Sequence, residues 1–292
     1  MLAKEMVDKE YLYGHKACQG CSLGIVGRFV TKVMGPKTVI AVPPSCMSTV
    51  TTQFPSINYM VPSVTSPFPA AGALVAGISA GLKSKNIDDV RVVALAGDGG
   101  TADIGLQALS GAIDQGYDFI YVCYDNEAYM NTGTQRSSAT PIGATTSTTP
   151  SGSCSYGEMR PKKNLFEIMI AHRIPYAAMS CTSYPNDLVK KLEKCRDIKG
   201  PTFLQILAPC PTGWGFHSSK TIEIGRQAVK CGLWYLAEYE KGKVTVNMVA
   251  KEPESVREYF KAQSRFRHID DEQIKYIESL RDKELEVVKS WC

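Results

Sequence analysis

The feature that most limits the fold is a recurring run of apolar, β-branched residues without polar alternation. Such runs occur at TVIAVPP (Thr38 to Pro44), VRVVALAG (Val90 to Gly97), DFIYVCY (Asp118 to Tyr124), PYAAMSC (Pro175 to Cys181) and PTFLQILAP (Pro201 to Pro209). A strand that is apolar at nearly every position must be buried on both faces, as in a parallel sheet covered by helices. Helical periodicity fills the intervals: Ser22 to Gly35, Ala70 to Lys83, Asp103 to Gly116, Asn164 to Arg173, Asn186 to Asp197 and Thr221 to Leu236. The alternation predicts an α/β fold with a doubly wound, mainly parallel sheet.

Two segments break the pattern. Residues Thr132 to Lys163 are rich in Ser, Thr, Gly and Pro, and a loop of that length inside a compact domain is functional or disordered. Beyond Gly242, KVTVNMV predicts one more strand, and the charged stretch from Ser255 to Trp291 predicts amphipathic helix. We therefore expect a main domain over 1–242 and a C-terminal helical arm over 243–292, packed on that domain or on a partner subunit. The 292 residues suffice for a substantial core. A net charge of +4 with no Lys/Arg block speaks against nucleic-acid binding. The absence of a long apolar run speaks against membrane insertion, and the N-terminus has no signal-peptide core; the expectation is a cytoplasmic protein.

In an open parallel sheet, ligands bind beyond the carboxyl ends of the strands. Here those ends read PPSCM, AGDGG, YDNEAYMN, MSCTS and APCPTGW. Asp98, between Gly97 and Gly99, offers a hard carboxylate oxygen where the backbone can turn tightly. Asn126, with 26 residues between it and Gly99, offers an amide oxygen at the end of what should be the neighbouring strand. With a main-chain carbonyl from the same turn and phosphate oxygens, these groups suit Mg²⁺, which demands oxygen ligands in octahedral array. A helix opening near Asp103 or Ile104 would direct backbone N–H groups at a diphosphate. GDG alone is a common strand-ending turn; its pairing with the second strand end is what gives it weight.

Ten cysteines are many for a chain of this type, and in a reducing compartment metal ligation or apolar packing explains them better than disulfides. Cys18 and Cys21 form a C-x-x-C pair, which on its own fits half a zinc site, a redox dithiol or chance. Cys46, Cys181 and Cys210 each follow a strand, and spacing does not choose among them. Cys123 sits within an apolar strand, Cys195 and Cys231 fall in helices, Cys154 lies in the polar loop and Cys292 ends the chain. His15 lies near the C-x-x-C, placed to hydrogen-bond to whatever that pair binds; His172, His217 and His268 show no partner and read as structural.

The words GDGGTADIGLQALSGA and CYDNEAYMNTGTQRSSATP, with the 26-residue interval, resemble the thiamine diphosphate signature. They are similar, more narrowly, to the β subunits of pyruvate:ferredoxin oxidoreductases in the 2-oxoacid:acceptor oxidoreductase family. The likeness runs from about His15 to Pro211 and more loosely beyond. It implies a thiamine-diphosphate-binding fold of the pyrophosphate-domain type. It implies Mg²⁺ held by Asp98, Asn126 and the carbonyl of Ala128, the diphosphate lined by Gly97, Gly99 and Gly100, and the 2-oxoacid met by Asn131. It also implies a [4Fe–4S] cluster on Cys18, Cys21, Cys46 and Cys210. One departure is PPSCM, where many relatives carry glycine in place of Ser45.

The implied activity is reversible oxidative decarboxylation of pyruvate with coenzyme A to acetyl-CoA and CO₂, electrons passing to ferredoxin. The chain lacks a second copy that would supply the pyrimidine-binding domain and its glutamate, and it lacks the cysteine runs of a two-cluster ferredoxin. Partner subunits must bring both. Rival readings are another 2-oxoacid (2-oxoisovalerate, 2-oxoglutarate) or oxalate as substrate, and a zinc-stabilised scaffold subunit without activity. A nucleotide-dependent dehydrogenase is rejected, since no G-x-G-x-x-G opens a helix after the first strand.

Overall fold

The computed structural model describes residues 2–6, 10–52 and 57–291. The five runs form strands β1 (Thr38–Val42), β3 (Arg91–Gly97), β4 (Ile120–Asp125), β7 (Tyr176–Cys181) and β8 (Thr202–Leu207). A short β2 (Ser63–Thr65) joins one edge, and the antiparallel hairpin β9 (Leu236–Glu240) and β10 (Lys243–Met248) completes the other. The order across the sheet is β10-β9-β7-β8-β4-β3-β1-β2. The six strands from β2 to β7 run parallel, and β9 opposes β7. Two further strands, β5 (Ser151–Gly152) and β6 (Ser155–Tyr156), make a separate hairpin within the polar loop.

Every residue of β4, β7 and β8 is buried, which is why these strands show no polar alternation. Successive side chains instead serve two cores. Val92, Ala94 and Ala96 of β3 belong to one, and Val93 and Leu95 to the other. The first core is closed by α3 (Ala71–Ser84), α4 (Leu106–Gln115), α5 (Leu165–Ala171) and α8 (Thr221–Lys230). The second is closed by α1 (Leu23–Met34) and α6 (Pro185–Asp197). In α1 the buried residues Leu23, Val26, Val30 and Val33 recur at the three-to-four spacing that makes one helical stripe. Among the described residues no helix is long and apolar enough to cross a membrane.

Three expectations need correction. The helix foreseen from Thr221 to Leu236 ends at Lys230; Gly232 turns the chain with φ +77°, and Leu236 already belongs to β9. The helical arm is broken into α9 (Val256–Lys261), a 3-10 turn Ser264–Phe266 and α10 (Asp271–Ser290), whose Ile274, Ile277 and Val288 join the first core. Residues 132–163 form ordered structure, with Ser137, Ala139, Thr140, Ala144 and Glu158 buried. The expected domain limits stand as a proposal; β10, just past residue 242, is an edge strand of the main sheet, and Cys292 lies outside the described residues.

Helices α3 and α4 pack closely at Gly72. A methyl group at Gly72 would stand 2.7 Å from the backbone of Leu109, whereas one at Gly77 would meet nothing within 4 Å. Gly72→Ala should therefore force the helices apart and lower the unfolding free energy by about 1–3 kcal/mol. Gly77→Ala should raise it by about 0.5–1 kcal/mol through helix propensity. Denaturant titration of the two variants checks both the opposite signs and the sizes.

Candidate functional site

Because β1, β3, β4 and β8 are parallel neighbours, the segments after Val42, Gly97, Asp125 and Leu207 emerge side by side. The segments after β1, β3 and β4 border a cleft of about 240 Å³ whose walls include Ser45, Cys46, Phe68, Gly97, Asp98, Gly99, Gly100, Asn126, Ala128, Tyr129 and Asn131. A larger cavity, about 460 Å³, lies under the C-terminal segment with mostly aliphatic and aromatic walls; of the turn that follows β4 it meets only Glu127. The oxygen-rich groups converge in the smaller one.

The backbone turns helical at Asp98, immediately after β3, then widens into a π-turn over Gly100–Ile104 before α4. The helical start expected near Asp103 thus comes five residues earlier, which places the free N–H groups of its first turn at the cleft. Asp98 is 1% exposed, and its Oδ2 accepts a 2.5 Å hydrogen bond from Ser137 Oγ. Burial, together with the nearby Asp125 carboxylate, pushes the Asp98 carboxyl well above its ordinary range. The terminal amide of Asn126 has one atom 3.0 Å from Asp98 Oδ1 and 2.9 Å from the carbonyl oxygen of Ala128. With its NH₂ inward, the amide donates to both oxygens. With its own oxygen inward, the amide sets an oxygen close to both of the others, and a cation among them would relieve that arrangement. An octahedral ion with metal–oxygen bonds of about 2.1 Å sets neighbouring oxygens about 3.0 Å apart, so the donor set fits Mg²⁺.

The turn that carries these oxygens is strained and heavily held. Glu127, between Asn126 and Ala128, has φ +66°, which costs a non-glycine residue on the order of 1–3 kcal/mol. Its carboxylate pairs with Lys162 at 2.9 Å and with Arg265 at 2.6 Å, its N–H donates to Asp125 Oδ1, and its carbonyl accepts from Thr140. Burial alone would raise Glu127; the two cations outweigh it and leave the carboxyl lowered. Asp125, fully buried, is the partner of Lys162 and Gln205. The aspartate of the Asp–Asn pair therefore anchors the turn, and the asparagine faces the cleft. Trp214 Nε1 adds a 2.8 Å bond to the Asn126 carbonyl.

Tyr129 lies over Gly99, where a Cβ would sit 2.6 Å from the ring, and its hydroxyl bonds the Gly99 carbonyl and Asp103. Phe68 stacks on it with ring centroids 5.9 Å apart. Asn131 is exposed on the cleft wall, in the turn between the bridged residues Tyr129 and Gln135. Ser137, Tyr129, Phe68, Lys162, Trp214 and Arg265 were not singled out by the sequence, although Tyr129 and Ser137 lie within CYDNEAYMNTGTQRSSATP and Trp214 within APCPTGW.

The four cysteines of the resemblance come from segments laced together beside this cleft. Ser22 Oγ, next to Cys21, donates to the carbonyl of Pro209, next to Cys210. The N–H of Lys16 bonds Val50 of α2 (Cys46–Thr51), the helix that Cys46 opens. Gly20, at φ +72°, fits against the Ser218 backbone where no side chain could stand. Burial pushes the Cys21 thiol up to about 11 and Cys46 to about 12, and raises Cys210. The thiols also feel one another: Cys46 is raised further by Cys210, Cys21, Asp98 and Cys18. Among the described residues no three His, Cys, Asp or Glu are drawn close enough to hold a metal ion. A four-iron cluster spaces its thiolates more widely than a single ion does.

Cys181, which spacing left open, is buried against Gly225 of α8 with Asp187 as its charged neighbour. Cys123 and Cys231 are buried in the first core, Cys195 in the second, and Cys154 is exposed. His15 lies on Gly24 at the start of α1, while His172 and His268 are tied to Ser110 and Thr145. His217 accepts from the Ser219 N–H at the head of a 3-10 turn.

Residues 45–206 match the family described as thiamine pyrophosphate enzyme, C-terminal TPP binding domain. The chain is 49% identical over 269 residues to pyruvate synthase subunit PorB of Methanothermobacter thermautotrophicus, covering 91% of this chain and 93% of that protein. It is 45% identical to the PorB of Methanocaldococcus jannaschii, covering 99% of each. It is also 45% identical to ketoisovalerate oxidoreductase subunit VorB of Pyrococcus horikoshii, over 97% of this chain and 93% of that one. A solved 2-oxoglutarate:ferredoxin oxidoreductase from Magnetococcus marinus superimposes with a TM-score of 0.57 at 19% identity, over 77% of this chain and 80% of that one, a likeness of fold. With a thiamine-binding family model over more than half its length and such relatives along nearly all of it, the chain belongs to the thiamine-pyrophosphate-binding subunits of the 2-oxoacid oxidoreductases.

Proposed function

We propose that this chain is the subunit that binds thiamine diphosphate, Mg²⁺ and a [4Fe–4S] cluster in a pyruvate:ferredoxin oxidoreductase. The reaction is the reversible oxidative decarboxylation of pyruvate with coenzyme A, and partner subunits complete the enzyme. The observation that carries the reading is the Asn126 amide set 3.0 Å from Asp98 Oδ1 and 2.9 Å from the Ala128 carbonyl oxygen at the cleft. Asp98, Asn126 and Ala128 would hold the ion, and the helical turn that starts at Asp98 would face the diphosphate past Gly97, Gly99 and Gly100. When bound, thiamine supplies the electron sink for decarboxylation. The chain's own part is to fix the diphosphate end, exclude water with Tyr129 and Phe68, and present the Asn131 amide to the 2-oxoacid.

Cys46 supports placing a cluster beside the thiamine, because it lines the cleft and also feels the charge of Cys210, Cys21 and Cys18. Four thiolates suit iron–sulfur or zinc. A redox-inert zinc would leave the electrons of the proposed reaction with nowhere to go, which favours the cluster. For the substrate, the PorB relatives speak for pyruvate and the VorB relatives for 2-oxoisovalerate at nearly equal identity. Turnover of the assembled complex on a panel of 2-oxoacids decides between them, and pyruvate should be the best.

Asp98→Asn should abolish Mg²⁺-dependent thiamine diphosphate binding. It should also stabilise the cofactor-free chain at neutral pH. A buried carboxyl raised above its unfolded value favours folding only while protonated, and that stability is lost as pH rises through the folded value. The melting advantage of the variant should accordingly vanish toward the ordinary carboxylate range; scanning calorimetry against pH measures it.

Asn131→Ala should cut turnover by about 10²–10³ with normal thiamine, Mg²⁺ and iron contents, as expected for loss of one donor to a developing oxyanion. Single-turnover kinetics with cofactor analysis on the same preparation separates this from a turn-shaping role, which would lose cofactor too. Cys18, Cys21, Cys46 and Cys210, each changed to Ser, should lose the broad visible absorbance of the cluster, whereas Cys181→Ser keeps it. Iron and acid-labile sulfide assays on anaerobic protein read the result, and zinc in their place would reveal the scaffold.

A further inference from the structure

We infer that Arg265, in the C-terminal segment, is a positioning residue for the oxygen-bearing turn Asn126–Ala128. The inference rests on that turn being the Mg²⁺–thiamine diphosphate site. Arg265 lies 139 positions from Asn126, in the 3-10 turn Ser264–Phe266, and its side chain is 5% exposed. One guanidinium nitrogen donates to Glu127 Oε2 at 2.6 Å, and Nε donates to Gln263 Oε1 at 2.9 Å. The guanidinium carbon also lies 3.9 Å from the centre of the Trp214 ring. Trp214 is the residue whose indole N–H holds the Asn126 carbonyl. A single cation thus grips the turn twice, through the Glu127 side chain and through the ring that bonds Asn126.

The double grip has a geometric purpose. Glu127 sits at φ +66°, and relaxation to negative φ would swing the neighbouring peptide groups. The Ala128 carbonyl and the Asn126 amide would then no longer converge with Asp98. Lys162 also binds Glu127, at 2.9 Å, but it divides its charge with Asp125 at the same distance. Among the described residues Arg265 pairs with no second acid, and its fixed planar fork sets the direction of the Glu127 carboxylate. The main-chain carbonyl of Arg265 accepts from Thr145 of the long polar loop, and Ser264 N–H donates to the Gly215 carbonyl after α7 (Pro211–Trp214). The C-terminal segment is fastened on both sides of the grip.

The test is a Mg²⁺ titration at fixed thiamine diphosphate on the full chain within its complex, with iron content and melting temperature read in parallel. Arg265→Met should raise the half-saturating Mg²⁺ by about 10–100-fold while iron content is kept, the range seen when a group orienting metal ligands is lost. Arg265→Lys, which keeps the charge but not the planar fork, should fall between wild type and Arg265→Met. The paired variant Glu127→Gln with Arg265→Met leaves no buried lone charge and guards against simple misfolding; it too should need more Mg²⁺. Folded Arg265→Met or paired protein that saturates within about twofold of wild type, whatever its melting temperature, overturns the inference and makes Arg265 a stability residue only. Wild-type protein that takes up no thiamine diphosphate with Mg²⁺ would instead overturn the reading of the turn itself.

Discussion

With its oxygen inward, the Asn126 amide lies 3.0 Å from an Asp98 carboxylate oxygen and 2.9 Å from the Ala128 carbonyl oxygen in a buried corner. Oxygens so placed repel one another unless a proton or a cation lies between them, and burial magnifies the repulsion. Much of the local structure can be understood as what keeps them together. Two parallel strands deliver them from opposite sides, and Ser137 takes up the outer oxygen of Asp98. Lys162, Arg265 and Trp214 then hold the strained turn from beneath. A buried ion network of this kind contributes little net stability compared with apolar packing of the same volume, because its desolvation cost is large. Its value lies in fixing one geometry.

The sheet and the candidate ligand positions were legible because they depend on local rules. Strands buried on both faces must read as unbroken apolar runs, so all five central runs could be located. Strand ends that need oxygen donors and tight turns must carry Asp, Asn and Gly, so Asp98 and Asn126 stood out. What could not be read was set by tertiary partners. Trp234 and Leu236 continue a helical pattern, yet Gly232 ends the helix and β7 offers an edge for β9. Ser137 and Arg265 look like any loop serine and any arginine in a charged tail; only burial beside Asp98 and Glu127 gives them work. Among the cysteines the spacing within C-x-x-C was informative, while the choice of Cys46 and Cys210 over Cys181 needed either the family or the fold.

Cys46 places two kinds of chemistry on one short piece of chain. It opens α2 three residues after β1, with Ser45 as the cap, lines the cleft and feels the charge of the other three thiols. In the proposed enzyme, little but this turn would separate the thiamine from the cluster. The Ser45 side chain already accepts the Ser48 N–H, so serine performs a capping task that glycine would leave to the backbone. The departure from the family pattern at this position is thus compatible with the same turn.

The strand order also imposes an order in time. β8 lies between β4 and β7, although it is made after both. As the chain is synthesised, neither strand has its neighbour on that side until residue 207 is available, and Cys210 follows three residues later. Cys18, Cys21 and Cys46 emerge long before their fourth companion. During that interval the nascent chain holds three of the four thiols before the sheet has closed beside them. If the four carry a cluster as proposed, its insertion would follow the closing of the sheet.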